Sequence, residues 1–198
     1  MNRSSPLRFF ARAAIVFAAL PALGFAQPAV KARVDFLLRD SIEVEVIGLH
    51  GTGGEVTEAS WSGQRHLVST FPATKTWQSA SITLRARADG RITLIPMSDP
   101  NSGKQAASKP TFILFDSFTA SDGSIRNGSF EALDAQGNPT WWNGPGGQLD
   151  ASLRAEVIST VAQDEVRCLR TWHGSKYVQG IALKGGVPVT ITFHYRAE

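Results

Sequence analysis

The chain has 198 residues, of which 42% are hydrophobic, so it is long enough to bury one sizeable core. Its formal net charge of +3 reflects three arginines among the first 26 residues, and without that segment 17 basic residues balance 17 acidic ones. A balanced charge argues against binding to nucleic acid or anionic lipid. The single cysteine, Cys168, excludes an intrachain disulfide, and we expect it to be a buried, inert thiol.

The N-terminal segment predicts export. Three arginines accompany an apolar run over residues 13–20, and a run of small residues ending at Ala26 follows it. This is the pattern of a secretory signal peptide over residues 1–26, and it predicts a secreted or periplasmic protein. The apolar run is far shorter than the ~20 residues that cross a bilayer, so we expect no membrane span.

Alternating apolar and polar residues predict strands through the first half of the chain. The predicted strands cover residues 30–38, 41–49, 59–71, 81–88 and 91–97. Within the third of these strands, the alternation places Trp61 on one face and His66 on the other. Asp89-Gly90, between the last two strands, predicts the two-residue turn of a β-hairpin. The polar segment 99–110 predicts a surface loop.

The stretch from residue 111 to residue 131 is the centre of the predicted fold. An apolar run over residues 112–115 predicts a buried strand that contains Asp116. Residues 121–124 predict a turn, because Ser, Asp and Gly favour turn conformations, and 125–131 predict a second strand. If these strands pair, Asp116 and Glu131 lie beside one sheet edge.

The rest of the chain continues the same pattern. A Gly- and Pro-rich segment, 134–147, predicts a long loop, and further strands are predicted over residues 157–161, 166–170, 177–183 and 187–195. No amphipathic helix of convincing length follows the signal peptide. We therefore predict an all-β fold, a two-sheet sandwich of the jelly-roll type.

Two segments carry a resemblance to a known family. Asn127-Gly128-Ser129-Phe130-Glu131 resembles the opening strand of carbohydrate-binding modules with the galactose-binding-like jelly-roll fold, and Phe115-Asp116 resembles their closing strand. Residues 179–195 and 77–95 resemble the two blocks that meet in the middle of those modules. In this chain, however, the closing strand precedes the opening strand.

The inverted order implies a circularly permuted jelly roll. In this interpretation residues 28–198 form one domain, with 28–120 as the second half of the family fold and 124–198 as the first. The last strand is then expected beside the segment from Val34 to Val46. The alternative is a fragment containing half of each of two tandem modules. A third possibility is a domain-swapped homodimer that exchanges halves through a hinge over residues 119–124.

Sugar binding requires a flat aromatic surface with polar side chains around it. The predicted loops offer five candidate ligand-binding residues: Trp141, Trp142, Trp172, His173 and Tyr177. A tryptophan in such a loop can also pack in the core. For the adjacent pair we expect one side chain inside and one outside.

The resemblance also implies a structural calcium ion near the terminal strands of the fold. Asp116 and Glu131 are the candidate metal ligands, and Asp122 or Asn127 could assist them. Calcium takes six to eight oxygen ligands, so backbone carbonyls and water would complete the shell. The alternative is that Asp116 accepts hydrogen bonds from the backbone of the turn.

Catalytic motifs are missing from the sequence: it has no Gly-x-Ser-x-Gly or His-Glu-x-x-His segment, and its four histidines are scattered. We therefore expect a secreted, non-catalytic module that binds a poly- or oligosaccharide, with no catalytic residue. Two alternatives stay open at this point. One is a structural or adhesive jelly roll with a protein partner, and the other is a fragment of a tandem-module enzyme that acts on glycosides.

Overall fold

The computed structural model describes residues 30–39, 41–100, 110–145 and 150–198. The predicted signal peptide, most of the predicted loop over residues 99–110 and the two glycines that end the loop over residues 134–147 lie outside these ranges. The described residues form eleven strands and one short 3-10 helix, Ala151–Leu153. The strands are β1 (Lys31–Leu38), β2 (Val44–His50), β3 (Glu55–Trp61), β4 (Gln64–Pro72), β5 (Gln78–Ala86), β6 (Gly90–Ser98), β7 (Ile113–Ala120), β8 (Glu156–Ile158), β9 (Cys168–Thr171), β10 (Gln179–Leu183) and β11 (Pro188–Ala197).

The strands form two antiparallel sheets that pack face to face, so the predicted all-β sandwich is confirmed. Sheet A has the order β10-β6-β1-β4-β3, and sheet B has the order β2-β5-β11-β7-β9-β8. The side chains that alternate along each strand supply the core, as in Val189, Ile191, Phe193 and Tyr195 of β11, all of which are buried. Cys168 is buried too, as expected, and burial raises the pKa of its thiol to about 12.

Both halves of the chain contribute to both sheets and to one core. β10 pairs with β6 in sheet A, and β11 lies between β5 and β7 in sheet B. Phe71 and Phe193, one from each half, touch edge to face with ring centroids 5.7 Å apart. The expectation that the last strand lies beside Val34 to Val46 is wrong, because β5 separates β11 from β2, and β1 lies in the opposite sheet.

The predicted hairpin at Asp89-Gly90 is also wrong, because β5 and β6 lie in different sheets. A two-residue hairpin of this type needs positive φ at both central residues, and Gly90 is not among the glycines with positive φ. Gly90 is instead required for packing: a Cβ there would come within 2.5 Å of Ile42. Asp89 accepts a hydrogen bond from the Gly185 N–H at 2.8 Å, which ties the crossover to the turn before β11.

A hairpin occurs at a place where the sequence predicted one continuous strand. Residues 59–71 divide between β3 and β4, which pair antiparallel around Ser62 and Gly63. Both turn residues have positive φ, 52° and 72°, as the twist of a two-residue hairpin requires. The turn reverses the chain, so the alternation assumed from Trp61 to His66 does not hold.

Residues 125–131 form a loop, not the predicted strand. Asn127 and Phe130 have positive φ, which interrupts an extended conformation. The Phe118 N–H donates to the Gly128 carbonyl at 3.0 Å, and a Cβ on Gly128 would lie 1.8 Å from the Phe118 oxygen. Glycine is therefore necessary at this close approach to β7. The Asn127 side chain bonds to backbone of Ala132 and Thr140, which fixes the loop that follows.

Candidate functional site

The adjacent tryptophans in the loop after β7 point to opposite sides, as expected. Trp142 is 5% exposed, packs against Phe118 and Phe130, and donates its indole N–H to the Asn127 carbonyl at 3.0 Å. Trp141 is 65% exposed, and the Arg126 guanidinium lies 4.9 Å from its ring centroid. Of this pair, Trp141 is the residue that offers a ring face to a ligand.

Two of the other predicted sugar-binding residues are interior side chains. Trp172 is buried and donates its indole N–H to the Leu153 carbonyl at 2.7 Å. Tyr177 is buried as well, and its hydroxyl bonds to the Asn138 side-chain oxygen at 2.8 Å. His173 is half-buried, and burial lowers the pKa of its imidazole. Trp172 and Tyr177 therefore pack and cap loops, and their rings do not form the exposed platform that was predicted.

A polar cavity of about 660 Å³ lies beside the same loop. Trp142 and Tyr177 supply apolar parts of its wall. The polar residues around it are Asp134, Gln136, Asn138, Asn143, Arg154 and Glu156. Amide and carboxylate groups of this kind suit the hydroxyls of a small polar ligand.

The two predicted metal ligands accept hydrogen bonds from one short segment of backbone. Asp116 is fully buried, and its carboxylate accepts the N–H groups of Ser117, Gln163 and Asp164 at 2.6, 2.9 and 3.1 Å. Burial raises the pKa of Asp116, and these three N–H groups oppose that shift. Asp116 thus accepts hydrogen bonds from the backbone, as in the alternative to metal binding, but the donors are its neighbour Ser117 and residues 163–164 and not the predicted turn at 121–124.

Glu131 performs the same task on the next residues of that segment. Its carboxylate accepts the N–H groups of Val166 and Arg167 at 2.9 and 2.6 Å, and the Arg167 guanidinium at 2.9 Å. Partial burial raises its pKa, but these donors together outweigh the effect and lower it. Asp116 and Glu131 therefore hold residues 163–167 against the sheet, and we name this arrangement the carboxylate clasp.

The surroundings of the clasp do not fit a calcium ion. Calcium requires six to eight oxygen ligands, whereas the groups facing Asp116 are N–H donors. Within the described ranges, no group of three or more His, Cys, Asp or Glu side chains is placed to hold a metal. Asn127, a possible assisting ligand, accepts the Ala132 N–H at 3.0 Å. Calcium thus remains a prediction that rests on the family resemblance.

A second cluster lies on the outer face of sheet A, the face turned away from sheet B. Trp61 of β3 stacks on His66 of β4, with ring centroids 3.7 Å apart and ring planes 24° from parallel. Trp61 is 40% exposed. On the neighbouring strand, the Arg33 guanidinium binds both oxygens of Asp35 at 2.7 and 2.8 Å and lies 5.2 Å from the Trp61 ring centroid. We call these four residues the sheet-face cluster.

Regular strands position the cluster. The register of β1 and β4 pairs Asp35 with Val68 and Leu37 with His66, so these four side chains share one face of the sheet. His66 and Asp35 are both buried, although they lie on the face away from the main core. A second small core of Leu37, Ile95 and Met97 packs on this face. The side chains of the cluster are therefore held on rigid strands.

The electrostatics of the cluster favour a neutral imidazole. Burial lowers the pKa of His66, Asp35 opposes the shift, and Arg33, Arg39 and Lys176 reinforce it. Burial raises the pKa of Asp35, and the bonds and charge of Arg33 oppose that shift. The nearest approach of the His66 Nδ1 to an Asp35 oxygen is 3.9 Å, too long for a hydrogen bond. Neither ring nitrogen of His66 has a hydrogen-bond partner among the described residues.

The sheet-face cluster was not predictable from the pattern of residues 59–71 as one strand, because a single strand places Trp61 and His66 on opposite faces. The Ser62-Gly63 pair between two β-rich runs is a signal that could have indicated the turn. A charged pair at alternate positions of an apolar strand, Arg33 and Asp35, is a second signal, because such a pair marks one face of that strand for polar contacts.

In the part of the chain that the structure describes, no helix is long and apolar enough to cross a membrane. Comparison of the sequence and the fold with known protein families, with curated proteins and with solved structures finds no match.

Proposed function

We propose that this protein is a non-catalytic carbohydrate-binding module whose binding surface is the outer face of sheet A. One observation carries the proposal: the indole of Trp61 stacks on the His66 ring, which restrains its orientation, and 40% of the residue is exposed. A flat, rigid, partly exposed ring suits the apolar C–H face of a pyranose. The guanidinium of Arg33, which lies 5.2 Å from the centroid of this ring, is a hydrogen-bond donor that suits the hydroxyls of a sugar.

The position of the ring on strands favours binding further. Sites on regular elements keep their geometry better than sites on loops, so less conformational entropy is lost when a ligand binds. The cation–π contact with Arg33 adds to the restraint on the Trp61 ring. Trp61 therefore offers its exposed face in one orientation.

A second candidate surface for the same function is the loop around Trp141. The observation in its favour is the indole of Trp141, which is 65% exposed. This surface includes Trp141, one of the residues that the sequence predicted to bind sugar. The two surfaces make different predictions for single substitutions.

The test is a binding assay with immobilised polysaccharides and a glycan array, using the wild type, Trp61→Ala and Trp141→Ala. Both substitutions remove a partly exposed indole, so each serves as the matched control of the other. We expect Trp61→Ala to weaken binding by roughly tenfold or more, which corresponds to the loss of about 1.4 kcal/mol of contact between the indole and the sugar ring. Trp141→Ala is expected to bind as the wild type does.

The opposite result would move the binding surface to the loop and leave the function unchanged. If the wild type binds no glycan on the array, the carbohydrate proposal is wrong, and the structural or adhesive alternative replaces it. A wild type that releases reducing sugar from a bound polysaccharide would contradict the non-catalytic part of the proposal.

The proposed site of action is outside the cytoplasm. The support is the charged, apolar and small-residue pattern of residues 1–26, which is typical of a secretory signal peptide. Mass spectrometry of the protein recovered from a secreting host is expected to give Gln27 as the first residue. Recovery of the uncleaved chain from the cytoplasm would contradict export.

A further inference from the structure

Among the described residues, the outer face of sheet A carries more cationic side chains than carboxylates. Arg33 is occupied by Asp35, and its Nη1 also lies 3.8 Å from an Asp99 oxygen. Lys31 pairs with Glu55 at 3.5 Å near the edge of the same face. The acidic side chains in these ion pairs are Asp35, Asp99 and Glu55.

Three further cations lie on this face without a carboxylate. Arg39 continues the outward row of β1 and donates to the Thr93 hydroxyl at 3.3 Å, and Arg91 lies on the outward row of β6. The Lys176 ammonium donates to the His173 carbonyl at 2.7 Å. Across the described ranges, no carboxylate lies within ion-pair distance of Arg39, Arg91 or Lys176.

Of these three cations, Lys176 is the one whose charged form a bound anion would stabilise most. It is half-buried, and the loss of solvation lowers the pKa of its ammonium group, with Arg33 acting in the same direction and Asp35 against it. A buried cation without a full counter-charge carries a desolvation cost that an added anion reduces. The ammonium also has hydrogen atoms left to donate, because its described hydrogen bond uses one of them.

His66 supplies an independent observation. It is 4% exposed, and neither of its ring nitrogens has a hydrogen-bond partner in the described part of the chain. Buried polar groups are nearly always partnered by protein or by ordered water, so the imidazole has hydrogen-bonding capacity that water or a ligand group can use. The ring lies beneath Trp61, beside Asp35 and within electrostatic reach of Arg39 and Lys176.

From this arrangement we infer that the ligand of the sheet-face cluster is an acidic glycan, whose carboxylate or sulfate group is bound by Lys176 and Arg39 while a sugar ring stacks on Trp61. The inference rests on the proposed function and names the substrate class of the same site. A neutral sugar would displace water from these cations and supply no negative charge to compensate for the lost hydration. An anionic group supplies the missing counter-charge, and arginine and lysine are the residues that bind such groups.

The experiment compares polymers that differ in charge alone. Polygalacturonate and its fully methyl-esterified form share one backbone, and a sulfated galactan and its desulfated form provide the second pair. We expect the wild type to bind at least one charged polymer roughly tenfold tighter than its neutral counterpart, as the loss of a charge-assisted hydrogen bond predicts. The pair that shows the difference distinguishes carboxylate from sulfate.

Variants locate the effect on the protein. Lys176→Gln and Arg39→Gln should each lower affinity for the charged polymer several-fold and leave affinity for the neutral one unchanged. Arg87→Gln is the matched control, because Arg87 is an exposed cation that pairs with Glu43 at 2.8 Å away from this face. It makes the same change in net charge. Arg39→Gln also covers the case in which Lys176→Gln fails to fold, since Arg39 is exposed.

Equal binding of charged and neutral polymers would overturn the inference, and so would an equal loss in Arg87→Gln, which would indicate non-specific attraction. These outcomes are separable from failure of the proposed function. If neutral glycans bind and Trp61→Ala abolishes their binding, the function stands and the acidic class is wrong. If no glycan of either kind binds, the function itself is wrong.

Discussion

The sheet-face cluster and the carboxylate clasp both contain a fully buried aspartate, yet they use it differently. Every described contact of Asp116 in the clasp is with a backbone N–H of this chain, and those contacts hold residues 163–167 in place. Asp35 in the cluster is bound by a side chain, Arg33, under a partly exposed tryptophan. Next to it, His66 keeps two unpartnered ring nitrogens among the described residues.

The difference separates a structural role from a binding role. A carboxylate saturated by its own backbone stabilises a loop and has little left to offer a ligand. A cluster of side chains on a rigid sheet can contact a ligand when it has an exposed ring face and hydrogen-bonding groups without partners. The same distinction applies to the tryptophans: Trp142 donates its N–H to the backbone and is buried, whereas Trp61 and Trp141 keep a face in solvent.

The largest expected effect tests that distinction between tryptophans. Trp142→Ala should destabilise the fold by about 3–5 kcal/mol, because it opens a cavity beside Phe118 and Phe130 and leaves the Asn127 carbonyl without its donor. Trp141→Ala, one residue away, should cost less than about 1 kcal/mol, the contribution of an exposed cation–π contact. Urea unfolding of both variants measures the difference. Equal losses would show that the two side chains do not differ in burial.

The next effect concerns the clasp. Asp116→Ala leaves three backbone N–H groups without their acceptor and should destabilise the protein by about 2–4 kcal/mol. Asp134→Ala is the control, because Asp134 also accepts backbone N–H groups, from Gln136 and Asn138, but in an exposed turn. Its loss should be clearly smaller in the same urea titration.

Thermal unfolding with and without a chelator addresses calcium. The N–H donors around Asp116 lead us to expect an unchanged melting temperature when the chelator is added. A drop that calcium reverses, and that disappears in Asp116→Ala, would instead support the metal that the family resemblance implied, because a ligand that binds only the folded state stabilises it.

The sequence was sufficient for the class of the fold, and for a physical reason. Alternation over nine or ten residues, as in β5 and β11, is a local signal of a half-buried strand, and it does not depend on which strands become neighbours. Burial of one member of the pair Trp141 and Trp142 was predictable in the same way. These features are decided within a few residues along the chain.

The pairing of strands and the position of the sheet-face cluster depend on contacts between residues far apart in the sequence, which local patterns do not specify. Asp89-Gly90 has the composition of a hairpin turn, but the packing of Ile42 against Gly90 and the separation of β5 from β6 decided otherwise. The strand predicted after the turn at 121–124 does not form, because Asn127 and Phe130 have positive φ and interrupt the extended conformation. The sheet-face cluster required the register of three strands, which no single stretch of sequence specifies.

The smallest expected effect concerns the protonation of His66. The neutral ring is favoured in the fold, because burial lowers its pKa below the ordinary value of 6.5. A histidine whose pKa is lowered in the folded protein contributes stability that is complete at pH values above its ordinary pKa. That stability is lost as the pH falls from the ordinary pKa to the lowered one. Protonation places a charge near Arg33, Arg39 and Lys176, and Asp35 offsets part of the repulsion.

We therefore expect the free energy of unfolding of the wild type to fall between pH 7 and pH 5, with His66 contributing at most about 1.4 kcal/mol per pH unit, the value for one proton. His66→Phe keeps an aromatic ring under Trp61 and removes the titrating group, so its pH slope should be shallower. His50→Gln, which removes an exposed histidine at the end of β2, is the control for the loss of an imidazole outside the cluster. Urea unfolding at several pH values measures all three. If the slope of His66→Phe equals that of the wild type, the acid sensitivity has another source, and the buried imidazole is not part of it.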